Sequence, residues 1–266
     1  DEGERAMSAT GVERRLPSWL RIAAPAAVAL LALVVWVLVV DVADAAPRML
    51  PSPFAILEEF FARFSIIAPD MAITATNALV GLVAGTALAI LLAALAASAR
   101  PIDGMLAPLV AALAVIPIVA LTPILNTMFG ASSQFGRQAV AAIAAFVPVF
   151  VNVLRGLRQT RPVQRDLLRA SAATRSQTFR FLTLPTALPY LMSGIRIAAS
   201  LAVISALVAE YFGGPADGIG TAIASYAKSG RAALAWAFVL GGILIGLLFF
   251  LVTSLLERLS TRRAPV

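Results

Sequence analysis

Residues 155–189 read RGLRQTRPVQRDLLRASAATRSQTFRFLTLPTALP. Arg155, Arg158, Arg161, Arg165, Arg169, Arg175 and Arg180 fall in this one segment, between two long apolar runs. A basic loop between membrane spans stays in the cytoplasm. The segment is long enough for a short helix, and it ends in a proline-interrupted approach to the next apolar run. Charge alone leaves two readings open. One is a docking element for a cytoplasmic partner, and the other is a solvated loop that only sets topology.

Working outward, the chain divides into apolar stretches of spanning length, which is about 20 residues. Six are expected: 22–40, 71–97, 105–128, 138–154, 184–209 and 233–256. The third holds Pro108, Pro117 and Pro123, so a kinked or broken helix is expected there. The fold class that follows is all-α, a polytopic membrane protein of about six transmembrane helices. The domains are a cytoplasmic N-terminal tail, 1–21, a six-helix transmembrane domain, 22–256, with its cytoplasmic loop 155–183, and a cytoplasmic C-terminal tail, 257–266. Arg14, Arg15 and Arg21 precede the first stretch, and Ala43-Asp44-Ala45 resembles a signal-peptidase site. The stretch is longer than a usual signal core, so a retained span is expected.

With the N-terminus in the cytoplasm, fifteen of the 21 cations lie inside, five (Arg48, Arg63, Arg137, Lys228 and Arg231) lie outside and Arg196 falls within a span. That bias orients the chain and returns the C-terminus to the cytoplasm.

Composition agrees. The chain is 60% hydrophobic and 13% charged, against roughly a quarter charged in soluble domains. The net charge of +7 is concentrated in a few segments. It points to orientation and anionic headgroups rather than nucleic acid. Cysteine and histidine are absent, which removes disulfides, Cys/His metal sites and Ser-His or Cys-His catalytic pairs. Lys228 follows Ala227, so the Gly-Lys-Ser/Thr of a phosphate loop is missing. Any ATP used must be bound by another subunit.

The segment 41–70 is expected on the outer side. Leu50-Pro51-Ser52-Pro53 is a rigid extended stretch. After it, Leu57, Phe60, Phe61 and Phe64 recur at helical spacing. Either an interfacial amphipathic helix or a short helix packed on its own bundle accounts for them. In the basic loop, Thr160 can cap a helix and Pro162 suits its first turn. The expected helix, 163–180, gathers Arg165, Arg169 and Arg180 on one side, with Leu167, Ser171, Thr174 and Thr178 on another face. Leu184-Pro185 and Leu188-Pro189 are expected to end it.

These pieces, in this order, resemble the permease subunit of type I ABC importers. The branch is the one handling sulfonates, nitrate, taurine, pyrimidine precursors and riboflavin-like compounds. The resemblance runs over roughly 50–258. It is carried by Leu50-Pro51-Ser52-Pro53, the loop Asp166 to Pro185, Leu184-Pro185-Thr186-Ala187-Leu188-Pro189-Tyr190-Leu191, Gly194-Ile195-Arg196-Ile197-Ala198, Val208-Ala209-Glu210-Tyr211-Phe212 and Gly218-Ile219-Gly220-Thr221-Ala222-Ile223. The family loop reads Glu-Ala-Ala, three residues, Gly. Here Asp166 stands at the Glu position and Ala172 at the Gly position, and the residues between depart from the pattern. The resemblance implies a loop helix that couples to a cytoplasmic ATP-binding subunit, with Arg165, Asp166, Arg169, Ala172, Arg175 and Phe179 as the coupling set. It also implies a second copy of the permease, an extracytoplasmic substrate-binding protein, a prokaryotic inner membrane location, and ATP and Mg bound only by the partner.

Polar residues within the spans are candidates for the pathway. Asn77, Asn126, Ser200, Arg196 and Glu210 are the set, with Thr74 and Ser205 as further pore-lining candidates. Helix packing uses the same residue types. Arg196 either lines the inner pathway or bonds carbonyls freed by Pro185 or Pro189. Glu210 is expected at an outer gate or an interface. The two are fourteen residues apart, about 21 Å along a helix, and on a similar face, so they should form no salt bridge. Gly81, Gly85, Gly241, Gly242 and Gly246 are expected at close helix contacts. A stand-alone channel or secondary carrier is the alternative function; its ion-coupled forms use deep carboxylates, and none is expected deep in these spans. A catalytic constellation is not found, and no metal site is expected.

Overall fold

The computed structural model describes residues 20–42, 50–130 and 132–261. Arg5, Arg14, Arg15, the Ala43–Ala45 tripeptide, Arg48, Arg262 and Arg263 lie outside the described residues. The chain forms two compact units, Asp1–Pro53 and Phe54–Val266. Helix α1, Leu20–Val42, belongs to the first and is apolar over Ala23–Val40.

The remaining helices are α2, Pro53–Ala62, α3, Phe64–Ser98, α4, Arg100–Val115, α5, Ile118–Phe129, and α6, Phe135–Arg158. After them come α7, Pro162–Ala170, α8, Arg175–Thr178, α9, Leu184–Tyr211, α10, Ile219–Lys228, and α11, Ala232–Thr261. The described residues contain no strand. Among the described residues five helices are long and apolar enough to cross a membrane, or six if the bent pair α4–α5 is one span.

That pair is the predicted broken span. Its halves meet at 105°, and Pro117 sits at the break as the N-cap residue of α5. Pro108 and Pro123 lie inside α4 and α5 and do not interrupt them. The missing proline N–H costs least at a helix start, so only Pro117 marks a boundary.

Helix α6 packs along both α3 and α9. The core there is built of small residues: Ala78, Ala89 and Ala93 on α3, Ala141 and Ala145 on α6, Ala198, Ala202 and Ala206 on α9. Small side chains let backbones approach where lipid supplies no hydrophobic drive between helices. Gly85 shows the limit. A Cβ built there would meet the Ala142 carbonyl oxygen of α6. Gly246 differs from the expectation, because a Cβ there would meet nothing within 4 Å.

The segment after Pro53 forms α2, with Ile56 and Phe60 buried and Leu57 and Phe61 exposed. Of the expected set only Phe60 is buried, with Ile56 one turn before it, and Phe64 already opens α3.

The basic loop is not one helix. α7 ends at Ala170, and Ala172 takes φ 55. The Ala173 N–H donates to Leu168 O at 2.9 Å and the Ala172 N–H to Arg169 O at 2.9 Å. These two bonds form a Schellman ending, whose left-handed position favours glycine. Arg165 and Arg169 therefore share a helix with each other and not with Arg180. The N-cap residue of α7 is Arg161, not Thr160, and Pro162 takes the first helical position. Thr160 instead accepts a hydrogen bond from Arg165 Nε at 2.7 Å. A π turn at Phe179–Thr183 carries α8 into α9. Leu184-Pro185 opens α9 and so closes the loop as expected, whereas Pro189 lies within α9 and marks no boundary.

Candidate functional site

The two ends of α6 carry the two polar regions of the bundle. Its 24 residues separate them by about 35 Å.

At the C-terminal end of α6, α7 has no buried residue. Val163 and Leu167, one turn apart, are 77% and 67% exposed, and Phe179 and Phe181 after them are exposed too. Two exposed aliphatic groups among arginines form an amphipathic face with no partner within the described residues. Asp166 and Arg169 make an exposed ion pair at 3.4 Å. Thr174 caps α8 through a reciprocal pair: the Gln177 N–H donates to Thr174 Oγ1 at 3.2 Å, and the Thr174 N–H donates to Gln177 Oε1 at 2.8 Å. Arg175 follows in the first turn of α8. The loop is thus shaped by its own local bonds, which leaves its apolar face exposed.

At the N-terminal end of α6 lies a buried polar latch. Glu210, 1% exposed, accepts from Thr74 Oγ1 at 2.7 Å, Asn77 Nδ2 at 3.3 Å and the Gly220 N–H at 3.1 Å. Thr74 in turn accepts from the Ile219 N–H at 3.0 Å, and Asp70 accepts from the Gly218 N–H at 2.9 Å. Glycine is required here. A Cβ on Gly218, whose φ is 83, would lie 2.6 Å from the Glu210 carboxyl carbon, and one on Gly220 would meet Leu207 O.

Arg137, fully buried, completes the latch. It pairs with Asp217 Oδ1 at 2.7 Å and donates to Pro215 O at 2.6 Å, Thr221 Oγ1 at 3.1 Å and Gly213 O at 3.3 Å. Gln134 joins the two halves. It accepts from Asn77 Nδ2 at 2.9 Å and donates to Asp217 Oδ2 at 2.9 Å. A buried cation persists only when paired and hydrogen-bonded, and here the 213–218 loop supplies its carbonyls. The latch ties α3, α6, α9 and α10 together.

The sequence-predicted pathway residues divide. Asn77 and Glu210 meet in the latch. Asn126 is buried near it on α5, with neither amide atom hydrogen-bonded. Arg196 and Ser200 lie elsewhere. Arg196 Nη1 pairs with Glu257 Oε2 at 3.0 Å, and Ser193 Oγ donates to the same carboxylate at 2.6 Å. Glu257 therefore belongs to α11 rather than to a free tail, and Arg196 does not serve the carbonyls near Pro185 and Pro189. Arg196 meets α11 while Glu210 meets α3 and α10, so the two act at different depths of α9 and form no salt bridge with each other. Ser200 lines an apolar groove with Ile204, Leu207 and Gly246. Sequence reasoning placed Arg137 in an outer loop and so missed the centre of the latch. A cation directly before a span, with Asp217 in a glycine-rich loop, was the available signal.

Among the described residues no cluster of acidic side chains could hold a metal ion. Residues 66–264 match the family described as the binding-protein-dependent transport system inner membrane component. A formylaminopyrimidine transport permease of Halalkalibacterium halodurans is 34% identical over 63% of this chain and 67% of its own length. A riboflavin transport permease of Chloroflexus aurantiacus is 32% identical over 61% and 60%. A taurine transport permease of Escherichia coli is 26% identical over 88% and 86%. The helices, the exposed loop and the extent of the match agree: this chain belongs to the inner membrane components of binding-protein-dependent transport systems, the permeases of ABC importers for small solutes.

Proposed function

We propose that this chain forms the translocation pathway as a homodimer and is driven by a separate ATPase that docks on the 155–183 loop. ATP and Mg belong to that partner, and an external binding protein delivers the solute. N- and C-termini then lie in the cytoplasm, on the side that the arginine bias selects. The observation that carries the reading is α7, with exposed Val163 and Leu167 flanked by Arg165, Arg169 and Arg175. An amphipathic helix with an apolar face in water fits a groove on a partner. Asp166, Ala172 and Phe179 complete the docking set. Asn77, Asn126, Ser200, Arg196 and Glu210 remain the pathway candidates, with Glu210 acting through the latch that holds the outer mouth.

The solute is a small nitrogen heterocycle, such as a pyrimidine or flavin precursor. Support comes from the pyrimidine and riboflavin relatives, whose identity exceeds that of the taurine relative. Reconstitution with the ATPase and binding protein tests the whole reading. Uptake of the heterocycle should require ATP, and Leu167→Asp with Arg169→Glu should abolish uptake while leaving the chain folded. Uptake by this chain alone without ATP would instead establish a channel or carrier, and uptake of an alkylsulfonate only would overturn the solute class.

A further inference from the structure

A groove of about 390 Å3 runs between α3, α6, α9 and the basic loop. Ile90 and Ala94 line it from α3, Val153 and Leu157 from α6, and Ala187 and Leu191 from α9. On α3 the lining extends from Ile90 to Ser98, about 12 Å along the axis. The slot therefore extends along α3 and is mainly apolar. Its one charged lining residue is Arg165, at the end where the loop begins.

Two other grooves provide the contrast. One is lined by Leu82, Ile195 and Phe249, the other by Ser200, Leu207 and Ile243, and neither has a charged side chain in its wall. A third, between α4 and α6, carries Arg155 and Arg158, of which Arg158 is paired with Asp103 at 2.9 Å; the bare grooves need nothing but lipid tails. The Arg165 groove adds a cation, and that cation is uncompensated. Its neighbours Arg158 and Arg169 are paired with Asp103 at 2.9 Å and Asp166 at 3.4 Å. Among the described residues Arg165 pairs with no carboxylate. Its Nε is turned to Thr160 Oγ1 at 2.7 Å, which fixes the guanidinium at the mouth of the slot.

We propose that this groove binds one anionic phospholipid, with an acyl chain along α3 and α9 and the phosphate on Arg165. A guanidinium matches phosphate oxygens in pairs, and basic pockets between helices on the cytoplasmic side suit anionic headgroups. A free phosphate has no use for the apolar slot, and a zwitterionic headgroup carries its own cation. Phe179, Thr183 and Leu184 also line the groove. The lipid would therefore touch both the bundle and the chain leaving the loop, and fasten the docking element to the membrane boundary. The inference rests on the cytoplasmic placement of the loop proposed above. Its test reads lipid retention and not transport, so the two can fail separately.

Native mass spectrometry of the detergent-purified full chain, in the complex it purifies with, provides the test. It is titrated with phosphatidylglycerol, phosphatidylcholine and inorganic phosphate. Phosphatidylglycerol should remain bound under activation that strips phosphatidylcholine. Arg165→Gln should weaken its binding about five- to tenfold, and Arg165→Lys should keep most of it. Ala94→Trp, which fills the slot from an exposed position, should displace the lipid with the arginine intact. Equal retention of both lipids overturns the proposal, as does unchanged phosphatidylglycerol binding in Ala94→Trp or competition by inorganic phosphate alone. Loss of a second copy of the chain, rather than of lipid, in Ala94→Trp would put protein in the groove and also overturn it.

Discussion

The two ends of α6 spend their polar groups in opposite ways. At the Phe135 end, every polar side chain of the latch is turned toward another element, and Arg137 and Glu210 are buried. At the Arg158 end, the loop helices bond within themselves and expose their apolar residues. One end satisfies its buried charges within the chain, and the other leaves its apolar face uncovered. A region satisfied through long-range bonds holds the fold, whereas a region satisfied locally is free to be moved or gripped. Under the docking proposed above, that division would let force enter at the loop without first dissolving the bundle.

The contrast is broken most severely at Arg137. Arg137→Met removes the cation on which Asp217, Pro215 and Gly213 converge. Breaking a fully buried pair costs about 3–5 kcal/mol, and because Asp217 is 34% exposed the loss here falls toward the lower end of that range. Thermal unfolding in detergent should show the variant collapsing or unrecoverable. Arg169→Met at the other end should shift the midpoint hardly at all, because exposed pairs contribute about 0–1 kcal/mol. Equal shifts for the two variants would remove the distinction.

A smaller effect is expected between the ends, where α3 and α6 touch. Gly85→Val forces a side chain against the Ala142 backbone, and overpacking of this kind costs about 1–3 kcal/mol. Gly246→Val, pointing into open space, should be neutral in the same unfolding assay. Parity between these two glycines would mean that α3 and α6 are not held in close contact.

Much of this was legible in the sequence, for physical reasons that differ by region. The spans were readable because lipid demands long apolar runs, and Pro108, Pro117 and Pro123 together announced the broken one, though not which of them would break it. The loop was readable as basic, but its internal break was not, since periodicity from Arg165 to Arg180 runs on through Ala172. The latch was hardly legible. Its members come from α3, α6, α9 and the 213–221 segment, up to 148 positions apart, and no local pattern records such a meeting. Glu210 and Asn77 were singled out as lone polar residues in spans, but their partnership was not. Arg137 was assigned to water because it borders an apolar run, where charge is ordinarily solvated.

The subtlest difference between the ends sits at one alanine. Ala172 adopts φ 55 at the position where the family loop has glycine. Left-handed backbone costs an alanine about 1–2 kcal/mol relative to the right-handed region, whereas glycine adopts it freely. The Schellman bonds of Ala172 and Ala173 hold the turn despite that cost. Ala172→Gly removes the strain but also loosens the unfolded loop, so the net gain is about 0.5–1 kcal/mol. This local gain should leave the latch untouched. Hydrogen exchange resolved by segment is the suitable measure. Protection should rise a few-fold in the amides of 168–174 and stay constant at 74–77 and 218–221. Slower exchange at both ends would mean that the loop and the latch unfold together, and the loop would then no longer be an independent lever. Faster exchange at 168–174 would show that the turn does not adopt the left-handed conformation in solution.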